Sequence, residues 1–130
     1  MPKIDQARAA ELLTVPDFVK AAQDGDRRAD AMVAKAREWT QVRIRPTPTP
    51  IWIGRRPGQS ACDVRIDAYA TGADGRLLVE VLDAVCSATC EAMPTTLYRL
   101  VAFMHEYPCN LFIAACAALL VARGELEESE

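Results

Sequence analysis

The amino-acid sequence predicts an α+β domain with N-terminal helices, a small antiparallel sheet and C-terminal helices. Apolar residues recur at three- and four-residue steps in the first forty residues and again after Asp83, which is the spacing of amphipathic helices. Between Val42 and Leu82 apolar and polar residues alternate, and Pro- and Gly-rich stretches interrupt them, as in strands joined by turns. A chain of 130 residues has the size of one domain. We therefore expect a single domain over residues 1–124 and an acidic tail, ELEESE, over residues 125–130.

Three N-terminal stretches have the features of helices. The stretch IDQARAAELL (residues 4–13) has apolar residues at helical spacing, and Pro16 followed by Asp17 resembles the first turn of a second helix. The clearest helix is DRRADAMVAKAREWT (residues 26–40), with Asp26 as its candidate cap. Its apolar stripe consists of Ala29, Met32, Val33, Ala36 and Trp39.

The middle of the chain is predicted to form the strands. QVRIR alternates apolar and basic residues, and PTPTP (residues 46–50) forces an extended path that suits an edge strand. A β-hairpin is predicted over about residues 62–82, with CDVRIDAYA as its first strand, TGADG as the turn and RLLVEVLDAV as the returning strand. Alternation in the first strand places Val64 and Ile66 on one face, and Asp63, Arg65 and Tyr69 on a solvated face.

The C-terminal part is predicted to be helical. AVCSATCEA forms a short helix that ends at Met93, and the next helix has a stripe of Leu97, Leu100, Val101 and Met104. A last helix, LFIAACAALLVA (residues 111–122), stops at Gly124. Because this helix is apolar on every side, it is either central to the core or shared with a second subunit, and we expect a homodimer.

Charge and apolar runs favour a cytoplasmic protein. The N-terminus carries charges where a secretory signal needs an apolar run, and the longest apolar stretch has 12 residues where a membrane helix needs roughly 20. Five cysteines and no export signal predict free thiols. The net charge is −3, with residues 35–76 basic and residues 77–130 acidic, which indicates either two distinct surfaces or a solvated mixed surface with an acidic tail.

One constellation could hold a metal. Cys86 with Cys90, and His105 with Cys109, are each four residues apart, and together they would make a Cys₃His set for tetrahedral zinc. Pro108 interrupts the helical register of the second pair, and structural zinc sites usually draw on tighter Cys-x₂-Cys turns. Buried thiols that act as small hydrophobes are the alternative, so we expect no metal or other cofactor and keep the set as a weaker hypothesis.

Catalytic patterns are weak. Cys109 and His105 could be paired as nucleophile and base, but nothing places a third orienting group beside them. Asp63, Asp67 and Glu80 could share a face, although a salt-bridged solvent face explains them as well. The sequence contains no Gly-rich phosphate loop and no Gly-x-Ser-x-Gly elbow. We therefore predict a protein without enzymatic activity and assign no catalytic residue.

The stretch QVRIRPTPTPIWIGRRPG has the features of a binding surface. Arginine supplies forked donors for carboxylates or phosphates, and an exposed tryptophan can anchor a partner. Trp52 could instead point into the core, because strands alternate. The candidate partner-binding residues are Arg43, Arg45, Trp52, Arg55 and Arg56.

These observations predict a small non-enzymatic cytoplasmic module that binds a macromolecular partner, a protein, as a regulator, inhibitor or adaptor. Modules of this kind are common among accessory proteins of phages and other mobile elements. The first alternative is a nucleic-acid-binding protein that uses the Arg- and Trp-rich residues 42–58. The second is a zinc-binding module or enzyme built on the Cys₃His set. No membrane partner is expected.

Overall fold

The computed structural model describes residues 12–46, 48–58 and 62–127, and within them the α+β class is confirmed. The sheet has the order β1-β2-β3 and is antiparallel throughout, with helices before and after it. The elements are α1 (Val15–Gln23), α2 (Arg28–Ala36), β1 (Thr40–Arg45), β2 (Ile51–Arg55), β3 (Val64–Arg65), α3 (Gly75–Thr89), α4 (Met93–Glu106) and α5 (Leu111–Ala122). The helix predicted over residues 4–13 lies outside the described residues except for its last two, which are not helical.

Helix α5 is the centre of the core. It contacts each of the other four helices that the structure describes, and seven of its twelve residues are buried, which explains why it is apolar on every side. The side chain of Asn110 caps its first turn by accepting a hydrogen bond from the backbone N–H of Ile113 at 2.9 Å. The apolar circumference that suggested a homodimer is therefore covered within one chain. Self-association stays a prediction, but the apolar surface of α5 no longer supports it.

Helix α1 begins as the sequence predicts. The hydroxyl of Thr14 accepts a hydrogen bond from the backbone N–H of Asp17 at 3.3 Å. Pro16 occupies the first turn of the helix, where a backbone N–H would have no helical partner.

Residues 126 and 127 pack beside the start of α1. Glu127 exchanges backbone hydrogen bonds with Leu13 and Val15 at 2.9 Å, and Leu126 is buried. Residues 125–127, which the sequence analysis assigned to an acidic tail, are thus packed against the domain.

β1 and β2 form a hairpin, and the hairpin predicted over residues 62–82 is wrong. β3 pairs with β2 only at Val64 and Arg65, and residues 76–85 belong to helix α3. Two sets of apolar residues explain the helix, because within each set the residues are four positions apart. One set is Leu77, Val81 and Val85, and the other is Leu78 and Leu82. The prediction gave weight to the β-branched residues and missed this period, as well as the cap provided by Asp74, which accepts from the backbone N–H of Arg76 at 2.9 Å.

The boundary between α3 and α4 also differs from the prediction. Helix α3 ends at Cys90, which adopts the left-handed conformation with φ 58° and ψ 36°. Met93 begins α4 instead of ending the preceding helix, because Pro94 is tolerated in a first turn. Among the described residues no single helix is long and apolar enough to cross a membrane; α4 and α5 pass that test of length and composition only as a pair bent by 106°.

A buried carboxylate joins the helices to the residues that follow the sheet. Asp30 is fully buried in α2 and accepts hydrogen bonds from the backbone N–H groups of Ala70 (2.7 Å) and Thr71 (3.0 Å) and from the Thr71 hydroxyl (2.6 Å). Nε of Arg27 lies 2.7 Å from Oδ2 of Asp30 as an ion pair, and its Nη2 donates to the carbonyl of Ile66. Burial raises the pKa of Asp30 against the opposing effect of these hydrogen bonds and of Arg27.

Replacing Asp30 with Ala should destabilise the protein by about 3 kcal/mol at neutral pH, because the backbone N–H of Ala70 and the Arg27 guanidinium lose their acceptor. Asp83→Ala, at an exposed position in α3, should change the free energy of unfolding by less than about 0.5 kcal/mol. Urea denaturation measures both. Equal effects of the two substitutions would contradict the anchoring role of Asp30.

The same pair of proteins tests the raised pKa of Asp30. A carboxyl whose folded pKa is raised contributes stability that is present below its ordinary value of 3.8 and is lost as the pH rises through the folded pKa. The stability difference between the wild type and Asp30→Ala should therefore widen as the pH falls toward 3.8. A difference that narrows on acidification would show that the pKa is lowered instead.

Cys90→Gly should stabilise the protein by about 0.5 kcal/mol, since glycine relieves the left-handed strain at the end of α3 while adding some freedom to the unfolded chain. Ser87→Gly, three residues earlier and inside the same helix, should destabilise it by a similar amount. Thermal denaturation compares the two. A loss of stability in Cys90→Gly would contradict this expectation. It would mean that the Cys90 side chain adds more to the free energy of unfolding than the left-handed backbone conformation takes from it.

Candidate partner-binding surface

The strand register brings four arginines to one side of the sheet. Arg43, Ile53 and Arg65 are direct cross-strand partners, as are Arg45 and Ile51, so their side chains share a face. The opposite side of the sheet carries Trp52 and Val64, which pack against the helical core. We call the solvent side the outer sheet face and define it by Arg43, Arg45, Ile51, Ile53, Arg55, Asp63 and Arg65.

The outer sheet face has an apolar centre with a basic surround. Ile53 is only 6% exposed although it lies on the side away from the helices, because the arginines on both neighbouring strands flank it with their aliphatic stems. Arg43, Arg45 and Arg65 are exposed, whereas Ile51 is half-buried. Within the described part of the chain, Arg45 and Arg65 make no ion pair. The face therefore offers guanidinium donors beside the half-buried Ile51, over a covered Ile53.

One carboxylate lies among these arginines. Asp63 accepts from Nη2 of Arg43 at 2.6 Å and from Nη1 at 3.3 Å, and Nε of Arg55 donates to it at 3.1 Å. The hydrogen bonds from Arg43 and then Arg55 lower the pKa of Asp63, so this group is ionised at neutral pH. Nη1 of Arg43 also donates to the carbonyl of Gln41 at 2.6 Å. The side chain of Arg43 is thus held by β1 as well as by Asp63.

Two of the five predicted partner-binding residues lie elsewhere. Arg56 forms a two-point ion pair with Asp67, at 2.7 and 3.0 Å, and its guanidinium stands 5.0 Å from the ring centre of Trp39. The indole N–H of Trp39 in turn donates to the hydroxyl of Tyr69 at 3.0 Å. Trp52 faces the core, as the alternative reading of its position allowed. Arg43, Arg45 and Arg55 remain together on the outer sheet face.

Arg65 was not predicted as a binding residue, although it completes the outer sheet face. Alternation over residues 62–66 had already placed it beside Asp63 on the solvated side. The sequence could not show the strand order. β2 lies between β1 and β3, so only one strand separates Arg65 from Arg43 and Arg45. The same alternation failed beyond Ile66, because Tyr69 is buried.

The free edge of the sheet is protected. β1 is an edge strand, and a register shift between Thr40 and Arg43 includes Gln41 at φ 57°. Pro46, Pro48 and Pro50 follow the strand and have no amide to donate. Bulges, charges and prolines are features that keep edge strands from pairing with other chains. β1 is therefore poorly suited to pairing with an added strand.

The cysteine and histidine set does not come together. Sγ of Cys86 lies 3.3 Å from the hydroxyl of Thr96 in the first turn of α4, whereas His105 is nine residues further along that helix, about 13 Å at 1.5 Å per residue. Cys90 is near the first end and Cys109 beyond the second. In the described ranges no group of three or more His, Cys, Asp or Glu side chains is placed to hold a metal ion.

The other polar candidates have structural surroundings. Burial raises the pKa of the Cys109 thiol, which is the opposite of what a cysteine nucleophile requires. Asp63 and Asp67 are each paired with arginine, and Glu80 lies 3.8 Å from Arg37. These three carboxylates therefore have the salt-bridged character that the sequence analysis gave as the alternative to an acid–base pair.

Comparison of the chain with protein-family models, with curated proteins and with solved structures finds no match. The function is therefore inferred from the geometry and charge of the chain itself.

Arg56→Ala should destabilise the protein by about 1 kcal/mol, since it removes the ion pair with Asp67 and the contact with Trp39. Arg45→Ala should leave the free energy of unfolding within about 0.5 kcal/mol of the wild type, because Arg45 is exposed. Urea denaturation of both variants separates the structural arginine from the surface arginine. Indistinguishable stabilities would contradict this division.

Proposed function

We propose that this chain is a non-enzymatic module that binds an acidic, partly apolar segment of a partner protein on the outer sheet face. In that role it would act as a regulator, inhibitor or adaptor. The observation that carries the proposal is the grouping of four arginines around Ile51 and Ile53 on one open side of the sheet.

Charge complementarity identifies the partner's chemistry. The outer sheet face carries four guanidiniums and the carboxylate of Asp63, while the whole chain has a net charge of −3. A basic face on an acidic protein attracts and orients an acidic partner, and like-charge repulsion from the rest of the molecule disfavours other binding modes. The planar guanidinium fork of arginine matches a carboxylate in two-point contacts.

Three features favour a protein segment over nucleic acid. The half-buried Ile51 lies among the arginines, and apolar residues with a polar surround are typical of protein interfaces. Trp52, the aromatic residue expected to stack on bases, packs against the core instead. Arg43 and Arg55 already hold a planar carboxylate, that of Asp63, which is the group that an acidic side chain also presents.

The proposed setting is the cytoplasm. All five cysteines are free, including the exposed Cys62 and Cys90, which is compatible with a reducing compartment.

The proposal is tested by titrating a fluorescein-labelled peptide of Glu-Glu-Leu repeats into the wild type and into Arg45→Ala/Arg65→Ala. These two arginines make no ion pair within the described residues, so the double substitution should preserve the fold. We expect the variant to bind about tenfold more weakly, a loss of about 1.4 kcal/mol for two interface charges. Binding by the wild type should weaken with salt.

The matched control is Lys20→Ala/Lys35→Ala, which removes the same charge from exposed helix positions and should bind the peptide like the wild type. Labelled DNA and RNA oligonucleotides are titrated in parallel at two salt concentrations. Submicromolar oligonucleotide binding at physiological salt, lost in Arg45→Ala/Arg65→Ala, would make the nucleic-acid alternative the better one. Peptide binding that is equal in both double variants would remove the outer sheet face from the mechanism.

A further inference from the structure

Asp63 has an arrangement that a purely structural ion pair does not need. Its carboxylate bridges two guanidiniums from neighbouring strands, that of Arg43 on β1 and that of Arg55 on β2. The two-point contact with Arg43 and the third bond from Arg55 reproduce the way in which an arginine pair would hold a carboxylate from another molecule. All three side chains lie on the surface of the sheet.

We propose that Asp63 is a resident competitor, which occupies the subsite that a glutamate or aspartate of the acidic partner enters when it binds. This inference rests on the proposed function and names the regulation of the same site. The partner's carboxylate takes over the hydrogen bonds from Arg43 and Arg55, and Asp63 moves into solvent. The outer sheet face is therefore partly self-blocked in the free protein.

The donors are arranged to remain in place when Asp63 leaves. Nη1 of Arg43 donates to the carbonyl of Gln41 at 2.6 Å, a bond within β1 that does not involve Asp63. Arg55 belongs to the central strand of the sheet, which is paired on both sides. A subsite whose donors are fixed by the strands loses little order on exchanging one carboxylate for another.

Asp63 itself is attached to the weakest part of the sheet. It precedes β3, which pairs with β2 through two residues, Val64 and Arg65, and Asp63 is outside that pairing. Its side chain is 30% exposed, and ion pairs at such positions contribute little to stability. The residue can thus leave the arginines without disturbing the buried contacts of Ile66 beyond it.

The geometry favours a carboxylate over a phosphate as the displacing group. The fork of Arg43 accommodates two coplanar oxygens, at 2.6 and 3.3 Å, and Arg55 reaches one of the same oxygens. A carboxylate supplies these two oxygens with a single negative charge, so it replaces Asp63 without adding charge at the centre of the face. The partner that fits is an acidic peptide segment.

The test compares Asp63→Asn with the wild type in the peptide titration described above. Asparagine keeps the size of the side chain but weakens its hold on the two arginines, so the peptide of Glu-Glu-Leu repeats should bind about fivefold more tightly. Asp83→Asn makes the same change in net charge on α3 and should stay within about twofold of the wild type. Circular dichroism establishes that both variants are folded.

A second measurement uses the wild-type protein alone. The ¹³C signal of the Asp63 carboxyl is followed through a pH titration, with and without saturating peptide. Release from Arg43 and Arg55 should raise the pKa of Asp63 toward its ordinary value of 3.8. An unchanged or further lowered pKa in the complex would show that Asp63 stays between the arginines, and would overturn the inference.

The outcomes separate this inference from the proposed function. Equal or weaker peptide binding by Asp63→Asn, together with the loss of binding in Arg45→Ala/Arg65→Ala, would refute the resident competitor and leave the proposed function standing. Absence of peptide binding by the wild type and by Asp63→Asn would refute both. A gain in Asp63→Asn that is larger for an oligonucleotide than for the peptide would assign the subsite to phosphate and contradict the carboxylate partner.

Discussion

The fold depends on the carboxylate of Asp30, which is buried without access to water and must therefore be paired. Its partners are the backbone of Ala70 and Thr71 and the guanidinium of Arg27, which also reaches the carbonyl of Ile66. These contacts turn the chain back onto α2 directly after β3, and they hold one side of the sheet against the helices. The other side is left open to solvent as a consequence.

The arginines that contact the buried residues and the arginines of the outer sheet face have different roles. Arg27 pairs with Asp30 and reaches the carbonyl of Ile66, whereas Arg56 pairs with Asp67 and covers Trp39. On the outer sheet face, Arg43 and Arg55 pair with Asp63, and Arg45 and Arg65 are exposed. Replacing the first pair should change stability, whereas replacing the second group should change binding. The division between structural and surface arginines follows from the position of each guanidinium group in the fold. The spacing of the arginines in the sequence does not reveal it.

The sequence predicted the parts of the fold that local patterns determine. Pro16 with Asp17, the apolar run of residues 111–122 and Gly124 mark helix ends and a core helix by local chemistry. Residues 76–85 were misjudged because a short apolar run with β-branched residues fits both periods, and burial against α5 favours the helix. In the candidate site, alternation assigned Arg43, Arg45 and Arg65 to solvent, but only the strand order brings them together. Arg56 could not be separated from them, since its partner Asp67 lies eleven residues away.

Binding of an acidic segment to the outer sheet face is the central proposal. The most direct measurement is a nuclear magnetic resonance titration of the ¹⁵N-labelled protein with the peptide of Glu-Glu-Leu repeats, following every backbone amide and the arginine side-chain Nε signals. We expect the largest shifts in β1, β2 and residues 63–65, with the Nε signals of Arg43 and Arg55 among them. Shifts centred instead on the exposed apolar residues Leu97, Tyr98 and Val101 of α4 would contradict it.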